Sequence, residues 1–342
     1  MATGKHTDGR PEIAAISPQA AIAGGEVHIR GAGFVRSARP RVTFGDVQAP
    51  IVVGSDSLVI ARVPENASVS ELVLSNGDAA SVAWSCDIGI QIADSIHPVS
   101  SPAVDRAGMI YTTFSGSRGQ KTPVSLYRID LNYRATPFLN DIMNPTGLAL
   151  DRDELLYISS RFSGIVYQAT PGGNMSVYAE GMGVATGLAF DAQDNLYVGD
   201  RAGTIFKIGR DRQIYVFATL EPSIAAYHLA FGPDEHLYVT GPTTSSFDCV
   251  YRIAPTGDVT VFYRGLGRPQ GLAFDADGRL YVAASLGGHK GVVRFDQTRD
   301  PHLFLSGPNI VGLAFTPSRA LLVATNAAIF RIDAGIKGLL LS

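Results

Sequence analysis

From residue 102 onward, apolar and polar positions alternate in a fixed motif. A Gly opens a short apolar run, a polar turn follows, and a second apolar run centred on Leu-Tyr-Val closes the unit. The copies are PAVDRAGMIYTTF (from Pro102), GLALDRDELLYIS (Gly147), GLAFDAQDNLYVG (Gly187), HLAFGPDEHLYVT (His228), GLAFDADGRLYVA (Gly271) and GLAFTPSRALLVA (Gly312). The turn position reads Asp105, Asp151, Asp191, Gly232, Asp275 and Thr316, which gives spacings of 46, 40, 41, 43 and 41 residues. Between copies lie two further runs rich in β-branched and aromatic residues, such as SLYRID, IVYQAT and TIFKIG, then SVYAEG, IYVFAT and VTVFYRG. Helical periodicity is nowhere sustained. Six units of about four short strands, repeating near 40 residues, predict a six-bladed β-propeller over 84–342. Residues 88–93 are a candidate closing strand for the last blade, and the C-terminal KGLLLS competes for that place.

The first part of the chain follows another rule. PEIAAISPQAAIAGGEVHIRGAGF, RVTFGDVQAP, SLVIARVP and SELVLSNGDAASVAW are short alternating strands separated by dense turn signals. This pattern suits an immunoglobulin-like sandwich over 11–83, preceded by a disordered N-terminus over 1–10. The fold class expected is all-β, a sandwich followed by a propeller.

Composition narrows the function classes. At 342 residues and 46% hydrophobic, the chain can bury one large and one small core. A formal charge of −3 with 17% charged residues and no like-charged run argues against nucleic acid or an anionic membrane as partner. The start, MATGKHTDGR, has no apolar signal core and no apolar span long enough to cross a membrane follows, so a cytoplasmic or otherwise unexported protein is expected. Two cysteines, Cys86 and Cys249, give neither a disulfide framework nor a CxxC motif.

Residues Ile16-Ser17-Pro18, Gly24-Gly25 and Gly31-x-Gly33-Phe34 make the first segment resemble an IPT/TIG domain. The repeats resemble NHL and SMP-30/gluconolactonase-like propellers. The second resemblance implies a divalent metal held by a Glu, two Asn and an Asp, five residues before each turn marker. In this chain that column reads Ser100, Thr146, Thr186, Tyr227, Gln270 and Val311, and the four positions matching the ligands are Ser100, Thr146, Thr186 and Gln270. All are neutral, so neither a metal nor another cofactor is expected.

The candidate site is therefore a ligand-binding mouth at the end of the channel where the long loops gather. It comprises Ser100, Arg118, Thr146, Arg161, Thr186, Arg201, Tyr227, His228 and Gln270. His228 stands in a column that is Gly in four of the other five repeats, which makes it a weak candidate for a catalytic base against the alternative of a buried, satisfied histidine. The loops SGSRGQKTPV, GPTTSSFD and SLGGHKG are expected to be long and functional. GSRGQK is basic and glycine-rich but sits in no helix N-terminus, and His97 reads as an ordinary loop residue. The recurring turn aspartates read as Asx-turn acceptors, and Arg128, Arg252, Arg294 and Arg331 as repeated structural contacts. The ligand expected is a small polar or carboxylated molecule, or a peptide segment, bound without catalysis, with the sandwich as spacer or interaction module. A lactonase-like hydrolase or lyase is the alternative.

Overall fold

The computed structural model describes residues 10–35 and 38–339, so an expectation of disorder at the N-terminus falls largely outside it. Among the described residues every regular element is a strand. The chain divides into two compact units, Met1–Ile90 with Leu303–Pro308, and Gln91–His302 with Asn309–Ser342.

The first unit contains two sheets. One runs in the order Glu12–Ser17, Glu26–Ala32, Leu58–Arg62, Ile51–Gly54; the other runs Trp84–Ser85, Glu71–Asn76, Pro40–Phe44, Val47–Ala49. Alternate residues point inward, as strand geometry requires: Val27 and Ile29, Val42 and Phe44, Val59 and Ala61, Leu72 and Leu74 are all fully buried in one cluster. Cys86 closes that cluster, and burial pushes its thiol up to about 12, so it packs as a small hydrophobe. Ala20–Ala21 runs parallel to both Asp87–Ile88 and Leu305–Ser306.

The second unit is a propeller. Blade 1 holds Ala103–Val104, Ile110–Thr113, Leu126–Ile129 and Ala135–Leu139, and blade 2 holds Pro145–Leu150, Leu156–Ser160, Val166–Ala169 and Met175–Ala179. Blade 3 comprises Ala185–Phe190, Leu196–Asp200, Thr204–Ile208 and Ile214–Thr219, and blade 4 comprises His228–Phe231, Leu237–Thr240, Asp248–Ile253 and Val259–Leu266. Blade 5 is built on Leu272–Phe274, Leu280–Leu286 and His289–Phe295. Blade 6, Ile310–Phe315, Leu321–Thr325 and Ile329–Ile332, carries Ile90–Ala93 as its outer strand.

The packing explains the repeated motif. In blades 2 to 5 the Tyr of the second strand meets the Phe of the next blade's first strand: Tyr157 on Phe190, Tyr197 on Phe231, Tyr238 on Phe274 and Tyr281 on Phe315, with ring centroids at 4.8, 4.9, 4.8 and 5.2 Å. The same Tyr hydroxyls donate to the turn carboxylates, Tyr157 to Asp151 at 3.1 Å, Tyr197 to Asp191 at 3.2 Å and Tyr281 to Asp275 at 3.1 Å. Those carboxylates also accept the turn's own amides, for example Leu155 N on Asp151 at 2.9 Å and Arg279 N on Asp275 at 2.8 Å. In blade 4, where the marker is Gly232, Asp234 takes over the Tyr238 hydroxyl at 3.0 Å. Blade 6 meets blade 1 through Ile110, Ile129, Leu322, Ala324 and Ile329, so the ring closes on an apolar seam.

Three expectations need correction. Ile88 pairs with Ala21, so the outer strand of blade 6 is Ile90–Ala93 and not the whole of 88–93. The segment SLGGHKG is no open loop: Leu286 pairs with His289 across Gly287 and Gly288, whose φ of 57° and 89° allow a two-residue turn that extends both strands. Lys337 and Leu339 bond with Ala276 and Phe274 of blade 5, while 340–342 lie outside the described residues.

Candidate functional site

One end of the propeller channel opens into a cavity of about 540 Å³. Its wall comes from two kinds of segment. Inner strands and the segments leading into them supply Pro98, Val99, Thr146, Val184, Thr186, Ile224, Ala225, Ala226, Gln270 and Val311, and turns that follow second strands supply Ser117, Arg118, Arg161, Arg201 and Asn326. Six of the nine residues picked from sequence line it: Arg118, Thr146, Arg161, Thr186, Arg201 and Gln270.

Ser100, Tyr227 and His228 do not, each for a packing reason. The Ser100 hydroxyl donates to Thr146 O at 2.5 Å and stitches blade 1 to blade 2. The Tyr227 side chain lies against Gly199 and Gly241, and its hydroxyl donates to Glu221 O. His228 is 5% exposed, and burial pulls its imidazole down to about 4, so it is neutral at neutral pH. The glycines in its column explain the setting: a Cβ on Gly147 would stand 2.1 Å from Thr186 O, and one on Gly187 2.4 Å from Tyr227 O. The column faces the next blade's inner strand, and His228 occupies that register position in blade 4. Beside it, Gly271 N donates to Val311 O at 3.1 Å, which ties the inner strands of blades 5 and 6 together.

The neutral column is engaged in the same stitching. Thr186 Oγ1 donates to Gly199 O at 2.8 Å and accepts Tyr227 N at 3.1 Å, Thr146 Oγ1 donates to Asn144 O at 3.1 Å, and Ser159 Oγ donates to Thr186 O. Thr186 Oγ1 and Ser159 Oγ thus reach a neighbouring blade, while Thr146 Oγ1 is engaged within its own segment. With no carboxylate among the lining residues and three guanidiniums around them, the donor set does not fit a hard cation. Among the described residues no cluster of three or more His, Cys, Asp or Glu is placed to hold a metal ion.

The electrostatics are set by Arg118, Arg161 and Arg201, contributed by blades 1, 2 and 3. Of the fifteen lining residues these three are the only charged ones, and no His, Cys, Lys or Tyr accompanies them. None of the three makes an ion pair among the described residues. Arg161 Nη2 donates to Gly116 O at 3.2 Å and Arg201 Nε to Ser223 O at 3.2 Å. Arg161 Nε is buried without a partner. Burial first, then the like charges of Arg118 and Arg201, lower the Arg161 pKa from its ordinary value. A guanidinium stays charged nonetheless, so the cavity holds an uncompensated positive field.

Sequence reasoning missed Asn144. It is 1% exposed with φ of 46°, accepts Gly119 N on Oδ1 at 2.7 Å and donates Nδ2 to Gly116 O and Ser117 O, both at 2.9 Å. Its own carbonyl accepts Arg161 N at 3.2 Å. The only sequence signal was an Asn at a blade junction, a place where left-handed backbone is common. His97, His289 and Lys290 stand outside the cavity wall; His97 packs edge-on against Phe114 at 5.2 Å with Nδ1 3.3 Å from Asn326 O.

Residues 11–85 match the family model of the IPT/TIG domain. No match was found among curated proteins. Similar solved structures include a putative gluconolactonase, 17% identical with a TM-score of 0.60 over 74% of this chain and 93% of that one. An auxiliary nutrient binding protein from Bacteroides thetaiotaomicron is 12% identical, with a TM-score of 0.55 over 94% and 97%. Virginiamycin B lyase from Staphylococcus aureus is 13% identical, with a TM-score of 0.53 over 71% and 96%. At these identities the likeness is one of fold. The chain carries an IPT/TIG domain followed by a propeller of the kind seen in gluconolactonase-like and lyase proteins.

Proposed function

We propose that the protein is a binding protein that takes a small carboxylated molecule at the mouth of its propeller, with the IPT/TIG domain as spacer or interaction module. One observation carries this: three guanidiniums line a single cavity that contains no carboxylate. Arg groups present paired donors matched to carboxylate geometry, and in a partly enclosed site such bonds are stronger than in water. The volume, about 540 Å³, is that of a small-molecule pocket.

The hydrolase or lyase alternative draws on two structural neighbours, a putative gluconolactonase and virginiamycin B lyase. It lacks a proton-transfer group in the wall, since no His, Asp, Glu, Lys, Cys or Tyr lines the cavity. A thermal-shift screen of hydroxy acids and other carboxylates tests the proposal. The best hit should bind at least tenfold more weakly to Arg161→Gln, about 1.4 kcal/mol, and should be recovered unchanged after prolonged incubation. Equal binding by the variant defeats the proposed site, and turnover of the hit restores the enzyme reading.

A further inference from the structure

We propose that the mouth is built for a ligand bearing two negative charges in close proximity, and that Asn144 is the positioning residue that prearranges the two basic segments receiving it. This rests on the carboxylate-binding reading and names the charge class of its ligand.

A monocarboxylate would leave two of the three guanidiniums uncompensated; Arg118 and Arg201 are exposed, but half-buried Arg161 lies where like charges repel more strongly than in water. Arg118 and Arg201 are both close enough to Arg161 to act on it as like charges. The donors are also incompletely used, with Arg161 Nε buried and unpartnered and no ion pair on any of the three. The nearest acid in sequence, Asp200, is turned to other duty, accepting Val184 N at 2.9 Å and Ala202 N at 3.2 Å. A dianion offers enough acceptor oxygens for forked bonds from more than one guanidinium; a dicarboxylate and a phosphate monoester share that chemistry.

Holding three cations together before a ligand arrives requires a scaffold, and Asn144 supplies it. Its amide ties Gly116, Ser117 and Gly119, the residues flanking Arg118, while its backbone carbonyl holds the amide of Arg161. Arg161 Nη2 then reaches the same Gly116 O. Pre-organisation of this kind lowers the ordering cost of binding.

The test is calorimetric titration at low ionic strength and mildly alkaline pH with three probes: acetate, succinate and inorganic phosphate. At least one dianion should bind tenfold or more tighter than acetate. Asn144→Ala and, separately, Arg118→Gln should bring that preference to within about twofold, with melting curves confirming that each variant is folded. Arg118 is exposed, so its replacement keeps the test decisive if Asn144→Ala fails to fold. Preference for succinate alone assigns the dicarboxylate; preference for phosphate alone assigns the tetrahedral dianion and replaces the carboxylate of the functional reading by a phosphate. Both support a mouth built for two adjacent negative charges. Acetate binding as tightly as both dianions overturns it while leaving the carboxylate reading intact, as does a dianion preference that survives in every folded variant. Failure of all three probes to bind overturns both.

Discussion

A histidine in a column of glycines invites a catalytic interpretation, and its surroundings argue for packing instead. His228 is 5% exposed on an inner strand, away from the cavity wall, with its imidazole pulled down to about 4 by burial. An unfolded-state histidine titrates near 6.5, so between those values the unfolded chain binds the extra proton. Stability from this group is thus complete above about pH 6.5 and falls as pH drops toward 4, by at most about 3 kcal/mol. Denaturant melts at pH 7 and pH 4.5 should show that loss in the wild type and a smaller one in His228→Gln. An identical pH dependence in both proteins would mean that the imidazole is not held neutral. Ligand affinity at pH 7 should be the same in both.

At the scale of elements, the glycines at Gly147 and Gly187 let inner strands of adjacent blades approach closely. Gly147→Ala places a methyl 2.1 Å from Thr186 O, which the backbone can relieve only by moving two blades apart. Its expected cost is about 1–3 kcal/mol. Gly172→Ala, where the nearest atom to a new Cβ is Thr170 Oγ1 at 3.8 Å, should stay within about 0.5 kcal/mol. Urea midpoints for the two variants decide it, and similar values would show that the inner strands are not closely packed there. The blade motif was legible in the sequence because its Phe, Asp and Tyr make one contact repeated around the ring, as in Phe190, Asp151 and Tyr157. Loop behaviour was less legible. Gly287 and Gly288 turned an apparent loop into a hairpin, and Asn144 acts through a backbone shape that a single Asn barely signals. Ser100 and Tyr227 lie just ahead of the inner strands Ala103–Val104 and His228–Phe231, and which way such a side chain turns depends on the neighbouring blade, which no local pattern encodes.

At the scale of the molecule, the propeller depends on closure. Ile90–Ala93 completes blade 6, with Ile92 packed on the seam formed by Ile96, Ile110 and Leu322, whereas Ile90 is 47% exposed. Ile92→Asp should therefore lower stability by about 2 kcal/mol or more and broaden the melt, while Ile90→Asp costs well under half of that. Equal effects in the two would mean that this strand does not seal the ring. The closed ring brings Arg118, Arg161 and Arg201, which lie 83 residues apart end to end in sequence, to one cavity. A co-crystal structure with the tightest-binding carboxylate tests that convergence most directly. Carboxylate oxygens are expected within hydrogen-bond distance of Arg161 and at least one of Arg118 and Arg201. A ligand seated elsewhere, for example in the cavity of about 360 Å³ lined by Tyr197, Lys207 and Phe217, with the mouth empty, would contradict it.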